Sequence, residues 1–394
     1  MNSTKVSKRI LALDILRGIT IAGMIMVNNP GSWGHIYAPL RHAEWNGLTP
    51  TDLVFPFFMF IMGISTYISL KKYNFEFSYA AGMKILKRTI VIFLIGMAIG
   101  WVSRFCYYWA SAPDDLSFGE KLWASVWTFE RTRILGVMQR LALCYGATSI
   151  IALTMKHKHI PYLIAGLLAG YFILLMCGNG FAYDETNILS VVDRAILTPA
   201  HMYKDNGIDP EGLLSTIPAI AHVLLGFCVG RLMLDGNKSE DRASFLNSQL
   251  ITLFLAGVIL TFSGFLLSYG CPINKKIWSP TYVLVTCGLA SSFLALLIWI
   301  IDVKGNKKWS MFFEAFGVNP LFMYVLGGVL SILFGSISFS WGDGSISVHR
   351  FLYNIVLMPV FGETAGSLAF ALLFIAINWC IGYQLYKRKI YIKI

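Results

Sequence analysis

The densest run of reactive side chains follows the first apolar stretch. It reads Asn28-Asn29-Pro30-Gly31, then Trp33, then Arg41-His42-Ala43-Glu44-Trp45-Asn46-Gly47-Leu48-Thr49-Pro50-Thr51-Asp52. Thr49 or Thr51 can cap the helix that FPFFMF continues, and Asp52 is favourably placed in its first turn. His42 has no such packing duty. An imidazole among Glu44, Trp45 and Asn46 can both take and give a proton near neutral pH, as general-base catalysis requires. The other histidines read more plainly. His157 and His159 lie in a basic turn, His222 lies on an apolar face, and His35, His201 and His349 lie in segments without a comparable cluster.

Three further polar groups interrupt apolar segments. Asp14 and Arg17 are three residues apart on one face of the first helix, and they suit either a structural ion pair or a polar cavity. Arg133, Gln139 and Arg140, in RTRILGVMQRL, form a second cluster at the start of another apolar segment. Glu314 with Asn319-Pro320 forms a third, where the proline breaks a helix and frees backbone groups. Ionisable groups inside a membrane are costly and face protein or a cavity. Three such groups together point to a polar cavity inside a helical bundle.

The elements that must position these residues are membrane helices. Apolar and aromatic residues make up 56% of the 394 residues and charged residues only 13%, about half the charge a soluble domain carries. The fold expected is an all-α polytopic bundle forming one domain over residues 1–394. Apolar runs of spanning length predict ten helices near 10–29, 51–70, 85–103, 133–154, 160–177, 215–234, 247–268, 281–301, 311–335 and 366–386. Loops are expected near 30–50, 104–132, 178–214 and 336–365. Residues 349–361 are apolar but short; they read as an external re-entrant or interfacial segment, with an eleventh span as the alternative. With the N-terminus cytoplasmic, 20 of the 32 Lys and Arg residues fall inside, among them Lys5, Lys8, Arg9, Lys238, Arg242 and Lys393. The acidic residues, Asp114 included, gather on the other side, as an N-in, C-in protein requires. The basic N-terminal start resembles a signal peptide, but Asp14, Arg17 and the lack of a small-residue cleavage site favour a retained helix. The net charge of +11 is spread over separate loops, which argues for a membrane-facing basic girdle and against nucleic-acid binding. The seven cysteines contain no CxxC pair, so no metal site is read from them.

The segment RHAEWNGLTPTDLVFPFFMFIMG resembles the signature of the heparan-α-glucosaminide N-acetyltransferase family of transmembrane acyltransferases. LDILRG (13–18), MVN (26–28), RILGVMQRL (133–141), DPEGLLSTIPAI (209–220), PINKKIWSPTYV (272–283) and FGVNPLFMYV (316–325) resemble further family blocks in the expected order. The resemblance implies a multi-pass enzyme, here a bacterial homologue in the cytoplasmic membrane. It implies acetyl transfer from cytoplasmic acetyl-CoA to a glycan amine, a saccharide acceptor, contact with membrane lipid, no metal, and compatibility with a homodimer. The family's catalytic histidine falls on His42 and its companion asparagine on Asn28. Arg17, Arg133, Arg140 and Asn319 fall on other motif positions. With Asp14, Trp45, Asn46 and Gln139 they are the candidates for holding substrate or CoA. The stretch from Asn28 to His42 is slightly longer than in the animal enzyme, Glu44 replaces a small residue or proline, and the animal enzyme's extra N-terminal luminal domain is not expected here.

His42 then has two roles open to it. It deprotonates the acceptor for direct attack on the thioester, or it carries the acetyl group as an acyl-imidazole. Asn28 orients the imidazole or donates to the developing oxyanion, and Asp14 fixes Arg17. A secondary transporter would also use an intramembrane Asp14–Arg17 pair and a broken helix. The two-fold internal repeat common in such folds is not evident.

Overall fold

The computed structural model describes residues 10–113, 115–235 and 242–392. Lys5, Lys8, Arg9, Asp114, Lys238 and Lys393, and the side chain of Arg242, lie outside what is described.

Backbone amides have no water to bond in hydrocarbon, so the chain closes its hydrogen bonds within helices. Helices account for 72% of it. The long ones are α1 (Leu11–Asn28), α2 (Thr51–Lys71), α3 (Tyr79–Ser111), α5 (Val137–Thr154), α6 (Ile160–Cys177), α8 (Thr216–Asp235), α9 (Arg242–Leu267) and α10 (Pro280–Ile298). Two short helices, α4 (Phe118–Val126) and α7 (Ile188–Leu197), lie in the connections. After α10 come α11 (Met311–Gly317), α12 (Pro320–Ser336), a hairpin of β1 (Ser338–Trp341) and β2 (Gly344–Ser347), the short apolar helix α13 (Val348–Phe361), and α14 (Glu363–Lys387). Nine helices among the described residues are long and apolar enough to span a membrane, and α11 with α12, bent by 87°, makes ten. The all-α polytopic architecture expected from the sequence is therefore the one present.

Three boundaries differ from the sequence expectation. α3 is 33 residues long, about 50 Å at 1.5 Å per residue, because Lys84, Lys87, Arg88 and Arg104 depress the hydropathy of turns that are nonetheless helical. The fourth span starts at Val137 rather than 133, since residues 132–136 are not helical and the Arg133 side chain is tied to loop carboxylates described below. The ninth breaks where Pro320 follows Asn319. At about 21 Å, α13 is shorter than the roughly 30 Å hydrocarbon layer.

Small residues bring the helices together, as they must where lipid is as apolar as leucine. Gly63 of α2 abuts the Val223 carbonyl of α8, and Gly226 of α8 abuts the Phe60 carbonyl of α2. Gly18 of α1 and Gly317 of α11 meet in the same way. One apolar core runs through α1, α2, α8 and α10, with Ile15, Phe60, Phe227 and Tyr282 fully enclosed.

A proline sets the geometry at the head of α2. Pro56 has no N–H for the carbonyl of Asp52 four residues earlier. The Tyr282 hydroxyl of α10 donates to that carbonyl at 2.7 Å instead. His222 of α8 bonds the Pro56 carbonyl at 2.9 Å. The first turn of α2 is thereby bolted to both neighbours.

Gly226→Leu should drive a side chain into backbone that has no room to move and lower stability by about 1–3 kcal/mol or more. Gly166→Leu, with open space around its Cβ position, is the control. Melting of the detergent-solubilised variants by size-exclusion fluorescence is the measurement, and equal midpoints would refute the packing claim.

Candidate functional site

The residues following α1 form a loop folded on itself. The Arg41 guanidinium donates to the carbonyls of Ile36 (3.0 Å) and Gly34 (3.1 Å), and this presents His42 to a cavity. Asp52, in the first turn of α2, is 1% exposed. Its Oδ2 accepts from the backbone N–H of Ala43 (3.0 Å) and of Thr49 (3.1 Å), with the Thr49 hydroxyl at 2.9 Å. Its Oδ1 lies 2.6 Å from His42 Nδ1. A carboxylate can only accept, so Nδ1 carries the proton and donates it. Nε2 is left with its lone pair, on a side chain that is 43% exposed.

A third partner comes from the loop before α10. Asn274 shapes that loop: its Oδ1 accepts from Ile277 N–H (3.1 Å), and its own N–H donates to Ser279 Oγ (3.0 Å). The loop extends Lys275 Nζ to 2.9 Å from His42 Nδ1, 3.3 Å from Nε2 and 3.5 Å from Asp52 Oδ1. Burial pulls the Lys275 ammonium below the ordinary lysine value, against the opposing pull of Asp52 and Glu211.

The opposite wall is a second charge cluster. Arg133 grips Asp209 with Nε (3.2 Å) and Nη2 (2.5 Å), and Nη2 also reaches Glu211 at 2.5 Å. Its guanidinium lies 4.8 Å over the Tyr203 ring. Burial pushes the Glu211 carboxyl up, but Arg133 and Arg140 outweigh it and hold the group below the ordinary glutamate range. Burial disfavours the Arg133 charge, and the two carboxylates more than reverse this.

The walls enclose a cavity of about 410 Å³, lined among others by Asn28, His42, Arg133, Glu211, Lys275 and Tyr324. It continues past Tyr203, Lys204 and Asp205 into an outer hollow of about 370 Å³. Lys276 pairs with Asp205 at 2.7 Å. Lys204 is exposed and has no ion pair among the described residues.

Three of the residues singled out by sequence, Asn28, His42 and Arg133, therefore meet in one cavity. Others support it from behind. Trp45 donates to the Phe181 carbonyl (3.0 Å) and stacks on Tyr183 with centroids 4.5 Å apart. Asn46 accepts from Asn274 Nδ2 at 3.2 Å, clipping the histidine loop to the lysine loop. Arg140, 1% exposed, donates to the Gly212 carbonyl (3.1 Å) and to Ser215 Oγ, and lies 5.0 Å over Trp278. Gln139 is buried beside Gly96 and Gly136.

Asp14, Arg17 and Asn319 sit elsewhere. Arg17 pairs with Asp14 at 2.9 Å and with Ser65 Oγ at 2.8 Å, eleven residues or about 16 Å down α1 from Asn28. Asn319 holds the C-terminal tail, donating to the Ile390 carbonyl and accepting from Ile392 N–H at 2.8 Å each. Sequence reasoning missed Asp52 as the histidine's partner, having assigned it to helix capping. Lys275, Asp209 and Glu211 are likewise not marked by sequence as site residues, although Asp209 and Glu211 lie in DPEGLLSTIPAI and Lys275 in PINKKIWSPTYV.

Arg133→Met strands two buried carboxylates and should cost about 3–5 kcal/mol at neutral pH. The sign of its pH dependence follows from Glu211. A depressed carboxyl contributes stability that is fully present above its unfolded value near about 4.3 and lost as pH falls through its lower folded value. The gap between wild-type and variant melting should narrow on acidification below about pH 4. A gap independent of pH would contradict the ion-pair account.

A family model described as heparan-alpha-glucosaminide N-acetyltransferase, catalytic, matches residues 9–269. Heparan-alpha-glucosaminide N-acetyltransferase of Homo sapiens is 27% identical over 446 residues, covering 98% of this chain and 60% of its own length. The Mus musculus protein of the same name is 26% identical over 449 residues, covering 98% and 61%. The chain thus spans about 60% of the length of these curated relatives. His42, Asp52, Arg133, Asp209 and Glu211 all lie inside the family match, whereas Lys275 lies just past its end.

Proposed function

The chain belongs to the heparan-alpha-glucosaminide N-acetyltransferase catalytic family, and on that premise we propose that it carries an acetyl group from cytoplasmic acetyl-CoA to an amino sugar or related glycan on its His42 face. The reading rests on one observation. A histidine whose Nδ1 is held by a buried carboxylate turns its unprotonated Nε2, with Lys275 Nζ 3.3 Å away, toward a cavity lined by Arg133, Lys275 and Lys276.

The chemistry needs one lone pair in the right place. In the general-base route Nε2 takes a proton from the acceptor amine as its nitrogen attacks the thioester carbonyl. In the covalent route Nε2 attacks first, the C–S bond breaks, and the acceptor amine then displaces imidazole. Either way an amide forms and CoA leaves as the thiol. In the direct route the amine proton passes through His42 to the sulfur. In the covalent route the departing thiolate takes a proton from Lys275 or water, which the amine proton replaces when the acceptor displaces imidazole. Asp52 fixes the tautomer, as the third member of a catalytic triad does. The Lys275 ammonium and the Asn28 amide are the donors at hand for the tetrahedral oxyanion. Lys204 and Lys276, at the mouth, suit an anion, whether the phosphates of CoA or the acidic groups of a glycan. The bacterial cytoplasmic membrane is the location proposed, with the basic ends of the helices facing the cytoplasm. Association into a homodimer belongs to the same proposal.

The transporter alternative draws less support. Asp14 with Arg17, and the break at Asn319, do not line the cavity, so the features that suited transport do not converge on one translocation site.

With labelled acetyl-CoA and a panel of amino sugars, His42→Ala should abolish product while eluting as a folded monodisperse protein. Asp52→Asn should retain binding and lose about 10²–10⁴-fold in kcat. Near-normal turnover in His42→Ala would sink the assignment. Acid-quenched mass spectrometry without acceptor separates the routes, since only the covalent one adds 42 Da (the generic mass of an acetyl group, about 42) to the His42 peptide. In proteoliposomes of known orientation, impermeant acetyl-CoA should support transfer from the face opposite His42. Transfer only from the His42 face would overturn the transbilayer part and give the mouth cations to CoA.

A further inference from the structure

The reaction cavity has a second, apolar extension sideways. A cavity of about 340 Å³ lies between α1, α3 and α12 and shares Met24, Asn28 and Tyr324 with the His42 cavity. Its floor is aliphatic, formed by Ile25, Ile99 and Ile332 with glycines between them. Its rim is polar, with Asn29, Ser103 and Ser331. The gap between α3 and α12 is unfilled by side chains: a Cβ on Gly100 would meet nothing within 4 Å, and one on Gly328 would meet only Ile99, at 3.6 Å. One wall is α3 and the other is part of the bent α11–α12 pair, both long and apolar enough to cross a membrane, so in a bilayer an opening between them would meet hydrocarbon rather than water.

The level of the gap is marked by aromatic side chains. Trp101 and Phe105 flank Ser103 on α3, and Trp101 Nε1 donates to the Val126 carbonyl at the end of α4 at 3.0 Å. Trp123 and Trp127 of that connection are exposed and stacked at 5.7 Å. Exposed indoles of this kind collect at the membrane–water boundary. The gap therefore opens just beneath the headgroup layer on the His42 side.

A water-soluble sugar has the mouth at Lys204 and has no use for such a gap. We propose that the acceptor is a lipid-anchored saccharide, its sugar in the His42 cavity and its hydrocarbon chain leaving between α3 and α12. The inference rests on the acetyl-transfer reading for the chemistry and on the lateral cavity for the substrate class. The chain gains little from the groove itself, because the bilayer is equally apolar. What it supplies is confinement to one leaflet, which raises the effective concentration of the attached sugar, and an orientation that carries the sugar past Asn28 to His42.

The test uses the full chain in lipid nanodiscs with labelled acetyl-CoA and two acceptors sharing one head group, a β-glucosaminyl diacylglycerol and methyl β-glucosaminide. The glycolipid should be acetylated about tenfold or more faster at equal bulk concentration. Gly100→Leu and Ser331→Leu, which plug the gap, should erase that advantage and leave the methyl glycoside within about twofold of wild type. A glycolipid with a photoactivatable group in its chain gives a readout without turnover. It should label peptides containing residues 99–103 and 327–332, and unlabelled glycolipid should compete where phosphatidylglycerol does not. Equal rates for the two acceptors, equal slowing of both by Gly100→Leu, or competition by phosphatidylglycerol as strong as by glycolipid would each overturn the proposal. Head-group-specific labelling with no acetyl transfer to either acceptor would support the lateral seat and defeat the acetyltransferase reading, so the two fail separately.

Discussion

A buried carboxylate at the head of a membrane helix is a liability unless every lone pair is engaged, and Asp52 is where that constraint falls. Its side chain draws in the backbone of Ala43 and Thr49, the Thr49 hydroxyl, His42 and Lys275. These partners come from the loop that leads into α2 and from the loop before α10, so satisfying one anion joins two pieces of chain far apart in sequence. Oδ2 is consumed by the loop, and only Oδ1 faces the imidazole. The structural requirement and the orientation of His42 are thus met by the same group.

The second cluster obeys the same rule with the charges exchanged. Asp209 is fully buried and is satisfied by Arg133 and by the N–H groups of Tyr203 and Glu211. Arg140 lies deeper and braces the strand of chain that carries these acids through Gly212 and Ser215. Most of the ionic groups near the cavity are therefore already paired within the protein. Among the described residues, the groups lining the cavity without a side-chain partner include the Asn28 amide, the Glu44 carboxylate and the Lys204 cation, and the far nitrogen of His42 has Lys275 3.3 Å away. The rest are committed to holding the shape of the cavity.

Much of this was legible in the sequence, and the reasons are physical. Bilayer thickness demands about twenty apolar residues per span, so the ten helices could be counted from composition alone. His42 stood out because a titratable group beside an apolar helix had no packing duty. Asp52 did not, because an acidic residue in a first helical turn has an adequate local explanation that conceals its non-local one. Lys275 stands 233 residues from His42, and no spacing rule spans that distance. Asp14 with Arg17 looked like part of the same cavity because polarity in a helix is visible in sequence, whereas the depth at which it lies depends on what packs beside it. Asn319 broke its helix where the proline required, but its amide serves the C-terminal tail.

The bond from Tyr282 to the Asp52 carbonyl carries a consequence for the order of assembly. Pro56 leaves the first turn of α2 one hydrogen bond short, and the missing donor is not synthesised until more than two hundred residues later. During insertion, α2 enters the membrane with an open carbonyl beside its future anion, and the lysine that completes the histidine's surroundings arrives with the same late segment. A nascent chain that has delivered only its early helices holds the histidine and the carboxylate but not the frame that aligns them. The frame around His42 and Asp52 therefore closes only once the segment that carries Lys275 and Tyr282 is in place.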